Sequence, residues 1–342
     1  MRGAAYSRYS HAQLASHALA FPALREAIGH VAALPRAGAL RVCDFGCASG
    51  GNAISTAHHV LDQLSDAGVA EGDVSYAFSD LPANDWPELV RALHADAGHA
   101  GASGAGGDGI ADRTHVSLVP RSFYETCFPT GSLHLSIPFI ALHWLSATPC
   151  DVGPRGVMAQ EHGAPAEALE AWRAHAHTDI VDFLKIRAAE LVDGGCGLFH
   201  MVGGEPPSLW NRPVERGGSV FLDAMDRAVA RGELEADAAA RATVPYYMRT
   251  VAEVRKAAAE VPELEVQAVP SGLIGIGEGQ PPATMTEIAW AIHAGALRGS
   301  TGMPDAAAAS VRAHISEVIA ERFGPEGCST NYLAVAVRRR PR

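Results

Sequence analysis

The sequence lacks the features that mark several classes of protein. The chain of 342 residues has no run of about 18 uncharged apolar residues, so a transmembrane helix is not expected. Its amino-terminal stretch has no continuous apolar segment, which a secretion signal requires. Basic residues are few, 27 against 38 acidic ones, and the net charge is −11. A nucleic-acid binder usually has the opposite balance, so we expect neither a membrane nor a nucleic acid as the partner.

Metal-binding and disulfide patterns are also missing from the sequence. The six cysteines are scattered and form no CxxC or CxxH group. The 16 histidines include the adjacent pair His58 and His59, which lacks further ligands at metal-binding spacing. These observations predict a reduced, cytoplasmic protein that holds no metal.

Short β-like runs alternate with helical stretches in the first part of the chain. A long Ala- and Glu-rich helix is predicted over Ala166–Val192, with Gly194 and Gly195 as its stop. Strand alternating with helix is typical of an α/β protein with a doubly wound, mostly parallel sheet. The predicted strands of this part are Ala39–Phe45, Val74–Ser79, Val116–Val119, Leu133–Phe139 and Gly197–Val202.

The later part of the sequence is mostly helical, and strands return at Leu264–Val269 and Tyr332–Arg338. We therefore expect a sheet core with an inserted α-helical cap, together forming one catalytic unit over residues 1–342. The predicted bounds are 30–203, 262–275 and 328–342 for the core, 204–261 and 276–327 for the cap, and 1–20 for a segment that closes the site.

A small-residue turn follows the first predicted strand and opens a helix, an arrangement that lets backbone N–H groups approach a ligand. The turn lacks the GxGxxG spacing of a dinucleotide site, and Asp80 lies 36 residues after Asp44 rather than about 20. That spacing disfavours a nicotinamide-dependent oxidoreductase, which stays open as an alternative. It suits a ligand with an amino-acid part facing Asp44 and ribose hydroxyls facing Asp80.

Further motifs occur in order at the ends of the predicted strands, and together they resemble the plant-type SABATH methyltransferases, the salicylate, benzoate, jasmonate and xanthine methyltransferase family. The resemblance extends from an amino-terminal segment with Tyr6, Ser10 and Gln13 to the last strand. It implies a Rossmann-like class I methyltransferase that uses S-adenosylmethionine. The motifs are DFGCASGGN at 44–52, SDLPAND at 79–85, VPRSFYETCFP at 119–129, LHWLS at 142–146, FLKIRAAELVDGG at 183–195 and PYYMRTVAEV at 245–254.

The resemblance assigns a role to each matching position on the cofactor side. The methionine part would lie at Asp44, with the ribose at Asp80 and the adenine at Leu81. The full set of implied cofactor residues is Tyr6, Ser10, Asp44, Gly46, Cys47, Asn52, Asp80, Leu81, Ser122 and Phe123.

On the substrate side the resemblance implies a clamp formed by Gln13, His143 and Trp144. The amide of Gln13 and the indole N–H of Trp144 are neutral donors that can pair with a carboxylate. A carboxylic acid is already ionised at pH 7, so no general base is expected. Ile140 replaces the family's Tyr in the pocket wall, which favours an acid over N-methylation of a heterocycle.

Three expectations complete the prediction. The family's acidic DxFNxP segment reads Arg241-Ala242-Thr243-Val244-Pro245 here, so no magnesium site is expected. Family resemblance favours a homodimer acting on a small, aromatic or apolar carboxylic acid. A non-catalytic ligand-binding protein with the cofactor fold is a further alternative, and the intact set of Ser10, Asp80 and Ser122 argues against it.

Overall fold

A computed structural model describes residues 11–96, 109–138, 140–153, 157–160, 164–205, 219–276, 280–323 and 327–342. The strands are β1 (Leu40–Phe45), β2 (Val74–Asp80), β3 (His115–Pro120), β4 (Leu133–Ile137), β5 (Leu191–Val202), β6 (Leu264–Ala268), β7 (Ser271–Ile276) and β8 (Cys328–Arg339). The helices are α1 (His11–Ala32), α2 (Gly51–Asp66), α3 (Trp86–Asp96), α4 (Ile110–Arg113), α5 (Ala166–Glu190), α6 (Val220–Ala230), α7 (Ala236–Ala240), α8 (Val251–Ala259), α9 (Pro282–Thr301) and α10 (Asp305–Arg322). Within these ranges, no helix has the length and apolar character needed to cross a membrane.

The described strands form one sheet in the order β3-β2-β1-β4-β5-β8-β6, with β7 beside β8. The pairs among β1 to β5 are parallel, whereas β8 runs antiparallel to β5, β6 and β7. The predicted doubly wound, mostly parallel α/β sheet is confirmed. The strand order reverses at β1, and open α/β sheets bind ligands beyond the strand ends at such a point.

Each face of the sheet is covered by helices because the strands are apolar on both sides. On one face Val42 and Leu135 pack with residues of α1 and α2. On the other face Phe45 packs with Leu184 of α5 and Ala257 of α8. Helix α8 lies within the span predicted for the cap, yet its buried residues contact the sheet.

The glycines expected to stop the long helix lie inside a strand, so that prediction is wrong. Helix α5 ends at Glu190, and Leu191 is already extended, with φ −68° and ψ 140°. Gly194 has φ +79°, and a Cβ there would lie 2.9 Å from Leu34 Cδ2. The β4–β5 register shifts between Leu133 and Leu135, so these glycines accommodate an irregularity in the strand rather than a helix end.

Helices α6, α9 and α10 pack on one another in a separate apolar cluster that includes Met225, Leu297 and Ile315. The cluster meets the sheet at Val202 of β5 and Tyr332 of β8. It provides the helical layer expected of a cap, whose exact bounds stay a prediction. Strand β7, which was not predicted, pairs with the first half of β8 beside this layer.

Candidate active site

The turn between β1 and α2 is fastened to the end of the neighbouring strand. The N–H groups of Gly46 and Cys47 donate to the Ser79 carbonyl at 2.7 and 3.2 Å. Gly46 has φ +86°, and a Cβ at this position would lie 2.8 Å from the Ala141 Cβ. Glycine is therefore required here both for the backbone conformation and for the close approach of the segment around Ala141.

Asp80, at the end of β2, organises the other side of the turn. Its Oδ2 accepts from the Ala48 N–H and its Oδ1 from the Leu81 N–H, both at 2.7 Å. Asn84 Nδ2 donates to the Ala48 carbonyl at 2.7 Å. Burial raises the Asp80 pKa, and the two N–H donors oppose that rise. A carboxylate has about four acceptor positions, so Asp80 can still accept from a ligand's hydroxyl groups.

Asp44 is a buried carboxylate that no positive charge of the described residues compensates. It is 1% exposed, and Oδ2 has no hydrogen-bond partner among the residues that the structure describes. Burial, and then the nearby Asp80, raise the pKa of Asp44 well above its usual value. An unpaired buried carboxylate is costly, and a cationic ligand would relieve that cost.

A recess that encloses about 320 Å³ of space, part of it open solvent, lies against this carboxylate. It brings together four residues predicted for the cofactor, namely Asp44, Gly46, Cys47 and Asn52. The other lining residues are His17, Ala48, Ala53 and Ile140. Ile140 was predicted for the substrate side, whereas His17, Ala48 and Ala53 were not singled out.

His17 is buried in α1, four positions after Gln13. Residues four apart share a helix face, so the prediction for position 13 carried the signal for position 17. The backbone of Gln13 belongs to α1, and its side chain lies outside what the structure describes. Tyr6 and Ser10 also lie outside the described residues, so these three assignments stay predictions.

The residues predicted for the adenine lie beyond the lining of the recess. Leu81 is 54% exposed and follows Asp80 directly. Ser122 Oγ accepts from the Tyr124 N–H at 3.2 Å. The Phe123 ring packs on Tyr124 at 4.6 Å and faces Phe183 at 6.1 Å, so its described contacts belong to the sheet core. The adenine assignments of Leu81, Ser122 and Phe123 stay predictions.

The segment from Ile140 to Trp144 runs from the recess toward the helical layer. Ile140 has φ +53°, and among the described non-glycine residues only Ala48 shares a positive φ. A β-branched residue in the left-handed region is strained, and such strain is concentrated at ligand sites. The segment is held in place because Arg249 Nη1 donates to the Leu142 carbonyl and Tyr124 Oη donates to the Trp144 carbonyl at 2.7 Å.

Five aromatic rings, which we call the aromatic cluster, surround the end of this segment. The His143 ring lies 4.3 Å from Tyr246, and the half-buried Trp144 lies 5.4 Å from the same ring. His143 is buried, which holds its pKa well below the usual value, and its Nδ1 accepts from the Val202 N–H at 3.3 Å. The neutral ring therefore carries its proton on Nε2. The cluster comprises His143, Trp144, Phe221, Tyr246 and His293.

The arrangement is thus a recess with an uncompensated carboxylate beside a patch of flat apolar rings with neutral polar groups. Sequence reasoning placed His143 and Trp144 there and missed Phe221 and His293, which come from α6 and α9. In the described ranges, no group of three or more His, Cys, Asp or Glu side chains is arranged to hold a metal ion.

Comparison with known proteins gives a family match and a fold match. Residues 2–338 match the family described as SAM dependent carboxyl methyltransferase. Gibberellic acid methyltransferase 1 of Arabidopsis thaliana is 32% identical over 275 residues, covering 74% of this chain and 70% of that protein. Indole-3-acetate O-methyltransferase 1 of Oryza sativa subsp. japonica is 28% identical over 235 residues, covering 62% of this chain. The chain spans 57% of this second relative's length, less than two thirds.

A solved structure, loganic acid methyltransferase with SAH, resembles the whole chain. The TM-score is 0.77 at 19% identity, and the match covers 98% of this chain and 96% of that one. At this identity the likeness concerns the fold.

Proposed function

The chain belongs to the family of SAM-dependent carboxyl methyltransferases, and from this premise we propose that it converts a small carboxylic acid into its methyl ester. One observation carries the proposal: the buried Asp44 carboxylate has Oδ2 without a partner in the described chain and borders the recess beside the aromatic cluster. S-adenosylmethionine has an ammonium group, the kind of charge that an uncompensated buried carboxylate requires.

The residues around the recess fit the cofactor by their chemistry. Asp44 would hold the ammonium group, and Asp80 would accept from ribose hydroxyls. Leu81, exposed beside Asp80, offers an apolar face to the adenine. When bound, S-adenosylmethionine would supply an electrophilic methyl group: a carboxylate oxygen of the acid bonds to the methyl carbon while the methyl–sulfur bond breaks, and the sulfur leaves with the electron pair as S-adenosylhomocysteine.

The acid needs positioning rather than activation. At pH 7 a carboxylate is ionised, so a nucleophilic oxygen is present without removal of a proton. His143, neutral with its proton on Nε2, and the Trp144 indole N–H are donors suited to orient that carboxylate. Holding the reacting atoms in line and excluding water provide most of the rate enhancement in such a site.

The aromatic cluster supports an aromatic or apolar body for the substrate. Flat rings contribute large contact areas and bind other flat or apolar groups. The relatives named for gibberellic acid and indole-3-acetate act on acids of this general kind. N-methylation of a heterocycle is the second candidate, because Trp144 and His143 would also face a ring with polar edges.

Calorimetry and a methylation panel test the proposal. We expect S-adenosylmethionine to bind and NADH not to bind. Benzoates, cinnamates, indole acids, aliphatic acids and N-heterocycles are then incubated with methyl-labelled cofactor. A product whose label is released by mild base is an ester, whereas base-stable label indicates N-methylation. Failure to bind S-adenosylmethionine would contradict the proposed function.

We further propose that the enzyme is a cytoplasmic homodimer. The free state of all six cysteines supports a reducing compartment. Resemblance to the family supports the dimer. Sedimentation equilibrium is expected to give twice the mass of one chain, and a single-chain mass would contradict the dimer.

A further inference from the structure

His293 has a fixed tautomer inside the helical layer. It is 1% exposed, and its Nδ1 lies 2.8 Å from the Ala289 carbonyl one turn earlier in α9. A carbonyl oxygen only accepts hydrogen bonds, so Nδ1 carries a proton and donates it. In the neutral ring, Nε2 is then a lone-pair acceptor.

That acceptor is buried and unsatisfied. Nε2 of His293 has no hydrogen-bond partner in the parts of the chain that the structure describes. Burial lowers the pKa of His293 to about 4, so the ring stays neutral at pH 7 and Nε2 stays an acceptor. A buried polar atom without a partner is destabilising unless something donates to it.

The ring geometry directs Nε2 away from α9. Nδ1 faces the backbone of its own helix, so Nε2 lies on the edge of the ring turned away from that carbonyl. The His293 centroid lies 4.7 Å from Phe221, 5.9 Å from Tyr246 and 6.1 Å from Trp144. Phe221 offers no hydrogen-bonding group, and Trp144 borders the proposed carboxylate position.

We propose that His293 determines specificity by accepting a hydrogen bond from the body of the acid substrate. The preferred substrate is then a carboxylic acid with a hydroxyl or ring N–H remote from its carboxylate, rather than a pure hydrocarbon acid. This inference rests on the proposed function. An acid without the donor leaves Nε2 of His293 unpaired, and sites built around a hydrogen bond discriminate strongly against such analogues.

Matched pairs of acids that differ only in the donor test this inference. Suitable pairs are indole-3-acetate with benzothiophene-3-acetate, 4-hydroxyphenylacetate with 4-methylphenylacetate, and 3-hydroxybenzoate with 3-methylbenzoate. We expect the wild-type enzyme to favour the donor-bearing member of at least one pair by about tenfold or more in kcat/KM.

Two variants of His293 and one control variant show whether His293 causes this preference for the donor-bearing acid. His293→Phe keeps an aromatic ring without an acceptor. It should lower kcat/KM only for the donor-bearing acid, which brings the ratio of the two kcat/KM values of that pair to about one. His293→Gln retains an acceptor oxygen and should keep part of the preference. His314→Gln, at a buried histidine of α10 that contacts Glu233 and Glu317, should leave the ratio unchanged.

The outcomes separate the two proposals. Absence of discrimination in every pair, or an equal loss for both members in His293→Phe, overturns the role of His293 while ester formation still supports the proposed function. A panel without any methyl ester contradicts the proposed function and this inference with it. Should His293→Phe melt below the assay temperature, the ratio in His293→Gln decides: a ratio below that of the wild type agrees with the role of His293, and an unchanged ratio overturns it.

Discussion

At the residue scale, Asp44 shows how a ligand site is maintained at a cost in stability. Its carboxylate is fully buried beside a second acid, Asp80, and its raised pKa reflects both features. Natural proteins retain such groups where function requires them. The structure therefore predicts opposite effects of Asp44 on stability and on ligand affinity.

Replacement of Asp44 by Asn tests this opposition. Asp44→Asn should raise the unfolding free energy of the unliganded protein by about 1 to 3 kcal/mol, because a buried ionisable group without a partner is removed. It should weaken the binding of S-adenosylhomocysteine about 30-fold or more, as expected when one member of a buried charge pair is lost. Urea denaturation and calorimetry give the two values.

The control for Asp44 is Asp66→Asn, at an exposed carboxylate near the end of α2 that contacts Gln63. This variant should match the wild type in both measurements. Undiminished affinity in Asp44→Asn would show that Asp44 does not hold the ligand's ammonium group.

Exposed leucines offer a second test at this scale. Leu81 is 54% exposed beside Asp80, and Leu273 is 58% exposed on β7. Leu81→Ala should raise the dissociation constant for S-adenosylhomocysteine about five- to tenfold, because the adenine would cover only part of the three carbons removed and each buried methylene contributes about 0.8 kcal/mol. Leu273→Ala should have no effect on that constant, and neither variant should change the melting temperature much. Equal affinities in calorimetry would place the adenine elsewhere.

At the element scale, the segment after β4 is positioned by α5. Asp179 of α5 accepts from the Ser146 N–H at 2.8 Å and from Ser146 Oγ at 2.7 Å. Ser146→Ala removes the second bond and the 3.1 Å contact of Ser146 Oγ with His175 Nε2 but keeps the first bond, and should lower the unfolding free energy by about 1 kcal/mol. Since Trp144 lies two residues away, we expect KM for the acid to rise about three- to tenfold, within the range that one lost hydrogen bond allows.

Thr178→Ala provides the matched control, because Thr178 precedes Asp179 and its hydroxyl bonds only to the Ala174 carbonyl of the same helix. Cofactor affinity should be unchanged in both variants. An unaltered KM in Ser146→Ala, measured together with an unaltered cofactor affinity, would mean that the bond to α5 does not position Trp144.

The elements themselves were predictable where the local pattern decides the structure. The apolar runs predicted β1 to β4 within two residues at each end. Strands β1, β2 and β4 are largely buried on both faces, and such strands require apolar runs. The helix end predicted at Gly194 and Gly195 was wrong because a glycine pair suits a strand irregularity as well as a helix end. Strand β7 escaped prediction since Ser271–Ile276 contains two glycines and gains its order from pairing with β8.

The part of the site that lies at the ends of the sheet strands could be predicted from the sequence. Asp44 and Asp80 end adjacent parallel strands, so their proximity follows from the strand order alone. His293 reaches the aromatic cluster through the packing of α9, which no local pattern of the sequence indicates. That residue 293 is a histidine can be read from the sequence, but its burial depends on tertiary contacts.

At the scale of the whole molecule, four buried histidines share one property. Burial lowers the pKa of His17 and of His293 to about 4 and that of His200 to about 3, and it also lowers the pKa of His143 well below 6.5. The folded state therefore excludes protons that the unfolded chain takes up below pH 6.5. Where the unfolded state binds more protons, stability rises with pH.

The unfolding free energy should accordingly be highest above pH 6.5 and fall as the pH drops toward 4. A shift from 6.5 to about 4 corresponds to about 3 kcal/mol for one histidine, so four such groups together rival the total stability of a domain. Asp44 and Asp80 have raised pKa values and oppose the trend, because the folded state keeps protons that the unfolded chain loses.

Urea titrations between pH 7.5 and 4.5 are therefore made in saturating S-adenosylhomocysteine, whose ammonium group favours ionised Asp44. His293→Phe should flatten the slope by about one proton, or 1.4 kcal/mol per pH unit, whereas Asp66→Asn should keep it. A stability that is level from pH 7.5 to 4.5 would mean that these histidines are protonated without unfolding.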